Sequence, residues 1–211
     1  DDADMGITHI IRGDDHLSNT AVQINLFNAL EYKVPIFGHL PMIHGVDGKR
    51  LSKRHGAVDI NSFLNDGYLV EALINYLVKT GWSHGDDEFF TLDELLKLFT
   101  IDKVTKSSAI FDYDKLNWLN QHYIKNKKIK DVADMIMPYL NSLKVNINDR
   151  EYLESILSLG IDRDYNLKDI ANGMTHYFQD ELTYNLDNFP KIDVEKSKNI
   201  LVNVLEKINE N

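Results

Sequence analysis

GITHIIRGDDHLSNTAVQINLFNALEYKVPIFGHLPMI, residues 6–43, decides how the fold is read. Its opening, Gly6 to Ile11, is short, β-branched and closed off by Gly13, the pattern of a buried strand. Arg12-Gly13-Asp14-Asp15 reads as a turn. Ser18, Asn19 or Thr20 can cap the helix that follows, in which Val22, Leu26, Ala29 and Leu30 keep helical spacing. Val34-Pro35 ends that helix. Ile36 to Ile43 reads as a second strand, closed by the turn His44-Gly45-Val46-Asp47-Gly48. Strand, helix, strand is a βαβ unit, which favours a parallel pair and a right-handed crossover.

Beyond this unit comes a polar loop, Lys49 to Gly56, and then a sequence that reads as almost entirely helical. Tyr68–Thr80 carries Leu69, Ala72, Leu73, Tyr76 and Leu77 on one face. Thr91 with Glu94 predicts a capping box for a helix over Leu92–Phe99. Asp112 predicts a cap for a helix to about Tyr123, with Leu116 and Leu119 inward. Further amphipathic stretches are Val132–Leu140, Arg150–Leu159, Leu167–Thr175 and Val194–Ile208. Trp82 and Trp118 sit in apolar helical patterns, so core packing is expected for both. His84, His122 and His176 show no role in the sequence.

Composition sets the class. At 211 residues, 43% hydrophobic and 27% charged, the chain can bury a sizeable core and is unlike a disordered polypeptide. Its longest near-apolar stretch, around Tyr68–Val78, is interrupted by Glu71 and Asn75, so membrane spanning is not expected. The absence of cysteine removes disulfides and thiolate metal sites, and a cytoplasmic protein fits. Opening at Asp1 without an initiator Met, and running at once into a strand, leads to the expectation that residues precede this chain.

The net charge of −10 argues against a nucleic-acid partner only as a sum, because phosphate binding depends on where the cations sit. Lys49, Arg50, Lys53 and Arg54 crowd one short stretch beside His55, and Lys125, Lys127, Lys128 and Lys130 crowd another. In Gly48-Lys49-Arg50-Leu51-Ser52-Lys53-Arg54-His55-Gly56, glycines bracket a loop of cations suited to phosphate oxygens, with a hydroxyl donor at Ser52. It lacks the Walker spacing. An exposed basic turn is the plain alternative for this loop.

Arg12-Gly13-Asp14-Asp15-His16 follows one strand, and the cationic loop follows the other, so both should open on the carboxyl edge of the parallel pair. Arg12 can clamp a carboxylate bidentately. Asp14 or Asp15 can bind an amine or hydroxyl, or help hold Mg²⁺ around phosphates; a capping turn with a surface ion pair is the plain alternative. No metal-ligand spacing is present around Asp1, Asp2, Asp4, His9 and His16, and no tightly bound protein metal is expected. Together the two stretches suit the joining of a carboxylate compound to a nucleotide.

Arg12 to Thr20 (RGDDHLSNT), followed by Gly48 to Ala57 (GKRLSKRHGA), resembles the class I glutamyl-tRNA synthetases. Asp66-Gly67-Tyr68-Leu69 to Gly81-Trp82-Ser83, and Lys106-Ser107-Ser108 to Trp118-Leu119-Asn120, are similar to that family as well. The likeness covers about two thirds of the chain in linear order and becomes diffuse after about Asp131. It implies an α/β fragment of a Rossmann-like class I catalytic domain (residues 1–56), a helical stem-contact domain (57–129) and an incomplete helical anticodon-binding region (130–211).

Arg50-Leu51-Ser52-Lys53-Arg54 matches the mobile signature loop written KMSKS, with Arg50 in place of its first lysine. By that resemblance these five residues would bind ATP, with Lys53 and Ser52 catalytic. Arg12 would bind a carboxylate of glutamate, with Asp14, Asp15 and His16 near substrate and nucleotide. Arg54, Lys125, Lys127 and Lys128 would meet tRNA, a solvated helix end being the alternative for the lysines. The family's other signature, HIGH, does not occur. The implied activity is ATP–Mg²⁺-dependent charging of tRNA(Glu) with L-glutamate by a monomeric enzyme, this chain alone being inactive. Charging of tRNA(Gln) as well, and a non-catalytic tRNA-binding module, are the alternatives. A shortened paralogue that glutamylates a tRNA base would lack the final helical extension.

Overall fold

The computed structural model describes residues 1–52, 59–179 and 194–209. Strand β1 (His9–Gly13) and strand β2 (Ile36–Leu40) pair in parallel, from His9 opposite Ile36 to Gly13 opposite Leu40. Helix α1 (Leu17–Ala29) makes the crossover, so the expected βαβ unit is present. β1 begins later than the sequence pattern predicts. Residues ahead of it fold into a turn, in which Met5 N–H donates to the Asp1 carbonyl (2.8 Å) and Ile7 N–H to that of Asp2 (2.9 Å).

The second strand is shorter than its apolar run. β2 stops at Leu40, before Pro41, whose missing N–H cannot join a ladder. The chain then changes partners: β3 (Ile43–His44) pairs in parallel with β4 (Ala109–Ile110), 65 or more residues away in sequence, forming a second two-stranded sheet. The turn after β3 is a tight hairpin. Gly45 N–H donates to the Lys49 carbonyl (2.8 Å), Leu51 N–H returns to that of Ile43 (3.0 Å), and Gly48 takes a left-handed φ of 72°.

Helices follow: α2 (Ile60–Asn65), α3 (Val70–Gly81), α4 (Leu92–Leu98), α5 (Tyr113–Lys125), α6 (Ile129–Ser142), α7 (Arg150–Gly160) and α8 (Leu167–Met174). Most begin at a side chain that satisfies an orphan N–H. Asp59 accepts from Ser62, Asp112 from Lys115, Asp149 from Tyr152 and Asn166 from Asp169. The Thr91–Glu94 capping box opens α4 as its sequence predicts. α1 differs, since no side chain caps it and Thr20 is turned to another use.

Three apolar clusters hold these helices. Phe63, Leu73, Tyr76, Phe111, Leu116 and Leu119 form one, with Phe63 and Phe111 stacked at 5.6 Å. Trp82, Phe90 and Leu95 form another. The largest joins Leu69, Ala72 and Ile124 to Val132, Ile136, Leu140, Leu153, Leu157, Ile170 and Met174 of α6–α8. Buried asparagines tie segments together: Asn120 accepts from Leu69 N–H (2.8 Å) and donates to the Tyr165 carbonyl (2.7 Å). Asn75 likewise donates to the Glu88 carbonyl and accepts from Phe90 N–H.

Three packing expectations fail. The first strand, expected buried, has no buried residue, and Ile11 is 50% exposed. Trp82 is buried, but Trp118 is 46% exposed and leans on Phe89, with centroids 4.7 Å apart. The buried stripe of α5 is Leu116, Leu119, Asn120 and Ile124, and position 118 points away from it. On α3, Asn75 takes a buried place while Leu77 stays 40% exposed. His122, without a role in the sequence, stacks on Phe89 at 3.5 Å.

Residues Asp1–Phe178 form one compact unit. Gln179–Asn211 form a second, whose described element is α9 (Val194–Asn209). Among the described residues, no helix is long and apolar enough to cross a membrane.

Candidate active site

β1 and β2 end side by side at Gly13 and Leu40, so the turn after each leaves the same edge of the sheet. That edge is where parallel α/β units bind ligands. Register places Arg12 opposite His39. The Arg12 guanidinium lies over the Phe37 ring, 5.5 Å from its centroid. Its Nη2 donates to Thr20 Oγ1 at 2.8 Å, and Thr20 Oγ1 lies 2.8 Å from His39 Nε2. Nε of Arg12 is buried without a hydrogen-bond partner.

Gly13 lets the next turn fold tightly. A Cβ there would stand 2.6 Å from Asp15 Oδ1 and 3.1 Å from Met42 Sδ. With only hydrogen present, the Asp15 carboxylate folds back across the turn and accepts from Arg50 Nη1 at 3.0 Å through Oδ2. His16 Nε2 is 3.9 Å from the same oxygen, and its Nδ1 is 3.3 Å from Asn19 Nδ2. Asp14 is exposed in the short 3-10 turn Asp14–His16. The two loops named by the sequence are therefore joined directly, the first through Asp15 and the second through Arg50.

Within the second loop the residues divide by role. Leu51 packs against the Phe63–Phe111 cluster, so its side chain anchors the base of the loop. Ser52 follows, half-buried. Lys53 and Arg54, with His55 and Gly56, lie outside the described residues. Among the described residues, no group of three or more His, Asp or Glu side chains is placed to hold a metal ion.

The lysines expected to meet tRNA gather elsewhere, at the α5–α6 junction. Lys125 pairs with Asp162 (3.0 Å) and Lys127 with Glu71. Burial raises the Glu71 carboxyl, but hydrogen bonds from Lys127 and from its own backbone bring it below the usual carboxylate range. Lys128 is exposed at the N-cap of α6. Two of the three cations are thus partly neutralised within the chain.

An apolar cavity of about 350 Å³, lined by Ile11, Leu40, Ile43, Trp82, Phe99 and Val104, lies off the opposite face of the sheet from Arg12. Sequence reasoning did not find Thr20 and His39 as members of the Arg12 site. The signal for His39 is strand register, which pairs positions 12 and 39 and is not visible until the pairing is known, whereas Thr20 is placed by the course of α1.

A parallel βαβ unit whose Asp15 turn pairs with Arg50 of the hairpin that follows, with helical layers beyond, fits the class I synthetase architecture. Residues 1–118 match the family described as tRNA synthetases class I (E and Q), catalytic domain, and residues 131–211 match the anticodon binding domain family. The chain belongs to the class I tRNA synthetases of that E and Q group.

Among named relatives, it is 48% identical over 201 residues to glutamate–tRNA ligase 1 of Syntrophus aciditrophicus, covering 95% of this chain and 41% of that protein. It is 41% identical over 206 residues to the glutamate–tRNA ligase of Francisella tularensis subsp. holarctica, covering 98% of this chain and 44% of that one. A crystal structure of a glutamate tRNA ligase from Elizabethkingia meningosepticum, in complex with its amino acid, superposes with a TM-score of 0.72 at 31% identity. That match covers 88% of this chain and 41% of the other. The chain spans about two fifths of the length of these relatives.

Proposed function

We propose that this chain supplies one side of the adenylate-forming site, and the tRNA-facing helices, of a glutamate–tRNA ligase. The observation that carries the reading is the 3.0 Å bond from Arg50 to Asp15, which links a carboxylate-binding turn to a phosphate-binding loop. Three domains follow the chain: residues 1–56 for chemistry, 57–129 for stem contact and 130–211 for the anticodon region.

The substrates are L-glutamate, tRNA(Glu) and ATP carried with Mg²⁺. A glutamate carboxylate oxygen attacks the α-phosphorus of ATP, and the bond to pyrophosphate breaks with the electron pair leaving on pyrophosphate. A terminal ribose hydroxyl of tRNA then attacks the glutamyl carbonyl, the acyl–phosphate bond breaks with its electron pair on AMP, and the hydroxyl proton passes to the departing phosphate. Little covalent work falls to the protein, so rate comes from placement and from cations where negative charge grows. Arg12 holds a substrate carboxylate. Asp14, Asp15 and His16 border the amino acid and the nucleotide. Arg50, Leu51, Ser52, Lys53 and Arg54 form the ATP loop, with Lys53 and Ser52 at the phosphates. Arg54, Lys125, Lys127 and Lys128 meet the tRNA backbone. The complete enzyme works as a monomer in the cytoplasm, where its tRNA substrate is used.

ATP–pyrophosphate exchange with tRNA present tests the reading. The 211-residue chain alone gives no exchange, and a polypeptide extended to the length of its relatives does. In that extended protein, Lys53→Ala slows adenylate formation at least about 100-fold, the effect of losing one donor to developing charge. Exchange at a near-normal rate would remove Lys53 from its role.

A further inference from the structure

We infer that Thr20 and His39 are positioning residues for Arg12, fixing its guanidinium for the substrate carboxylate. This rests on the reading of Arg12 as the carboxylate clamp. Thr20 is the buried residue of α1, while the apolar Leu17, Val22, Leu26 and Leu30 of the same segment are exposed. The hydroxyl at this covered position is explained by what it touches.

A threonine hydroxyl has one hydrogen to give and two lone pairs to offer. One lone pair receives Arg12 Nη2–H at 2.8 Å. The 2.8 Å contact with His39 Nε2 uses either the hydroxyl hydrogen or the second lone pair, according to the imidazole tautomer. The hydroxyl also lies 3.4 Å from the His16 carbonyl, which ties it to the turn before α1. Beneath, the Phe37 ring supports the guanidinium plane, two positions from His39 on the same face of β2.

Arg12 is thus held from below by a ring and from one side by a hydroxyl anchored to the neighbouring strand. An arginine held this way meets a carboxylate without first giving up rotamer freedom, which is where a planar fork gains over a flexible cation.

The test uses the full-length synthetase carrying this chain, with ATP–pyrophosphate exchange in the presence of tRNA, calorimetric binding of L-glutamate and thermal unfolding. Thr20→Val keeps the shape and removes the hydroxyl. It should raise KM and Kd for glutamate on the order of 10-fold, with KM for ATP changed less than about twofold. Thr20→Ser should restore glutamate affinity, and His39→Phe should weaken it in the same direction. On an Arg12→Ala background, Thr20→Val should add nothing to the loss of glutamate binding.

Three outcomes overturn the inference. If Arg12→Ala weakens glutamate binding and Thr20→Val does not, Arg12 stays the clamp and the positioning role falls. If Thr20→Val lowers Tm, raises both KM values alike and Ser fails to rescue, Thr20 is a packing residue. If Arg12→Ala leaves glutamate binding intact, the clamp reading itself fails and the inference goes with it.

Discussion

Gly67 stands at φ +87°, where side chains are rarely tolerated, and its carbonyl accepts the Leu167 N–H at 3.1 Å where α8 begins. A Cβ at this position would lie 2.6 Å from Lys168 N, 2.8 Å from Leu167 N and 3.2 Å from Leu167 Cα. All three are backbone atoms, so no side chain can swing aside to make room. Gly67→Ala therefore combines a conformational cost of about 1–2 kcal/mol with an overpacking cost of about 1–3 kcal/mol, roughly 2–5 kcal/mol in all. For a unit of this size each kcal/mol moves Tm by about 2–4 °C, so the variant should melt roughly 4–20 °C lower.

Gly85 is the internal control. It too has a left-handed φ, +55°, but nothing lies within 4 Å of its missing Cβ. Gly85→Ala should show only the conformational part, about 1–2 kcal/mol. Both variants can be melted as the 211-residue chain and followed by far-ultraviolet circular dichroism. If the two melt within about 1 °C of each other, the backbone contact at α8 does not bear on stability.

Asn120→Leu leaves the Leu69 N–H and the Tyr165 carbonyl buried without partners, and should cost about 2–5 kcal/mol in urea unfolding. An unchanged midpoint would show that solvent or a relaxed backbone satisfies both groups. Burial holds the His122 imidazole below its ordinary pKa, so the unfolded chain binds this proton more readily. Its stabilising contribution is present above the unfolded value of about 6.5 and is lost as pH falls through the lower folded value. His122→Gln should flatten that part of the stability profile, and a profile identical to the parent's would exclude His122 as its source. Lys128→Ala should weaken tRNA binding a fewfold and lower its salt slope by about one, measured by filter binding across ionic strengths. An unchanged slope would put Lys128 outside the tRNA interface.

The βαβ unit was legible because β-branched runs, a capping-rich turn and Val34-Pro35 follow one another in the order that a crossover requires. Helix starts at Asp59, Thr91, Asp112, Asp149 and Asn166 rest on short-range chemistry, and the two of these read in detail from the sequence, Thr91–Glu94 and Asp112, behave as their patterns predict. What the sequence could not carry is partner choice. The apolar run from Ile36 to Ile43 looks continuous, yet Pro41 divides it between two sheets, and β3 finds its partner at Ala109–Ile110. Trp118 was misjudged for a related reason: hydrophobicity assigns a residue to the interior, while the phase of Leu116, Leu119 and Ile124 decides which side of α5 faces it. At the site, Asp15 and Arg50 meet across the two named loops, whereas the partners of Arg12 are Thr20 on α1 and the Phe37 ring, and His39 comes near only through the register of β1 against β2.

The largest apolar cluster has a practical consequence. Leu69, Ala72 and Ile124 belong to α3, its N-terminal flank and α5, yet they interleave with Val132, Ile136, Leu157 and Ile170 of the anticodon-family region. A graft cut at the charged junction between α5 and α6 would look clean on paper and would bare greasy surface on both pieces. Exchanging the anticodon-reading end with a relative's will succeed only when these three residues travel with it or are matched in shape by the recipient.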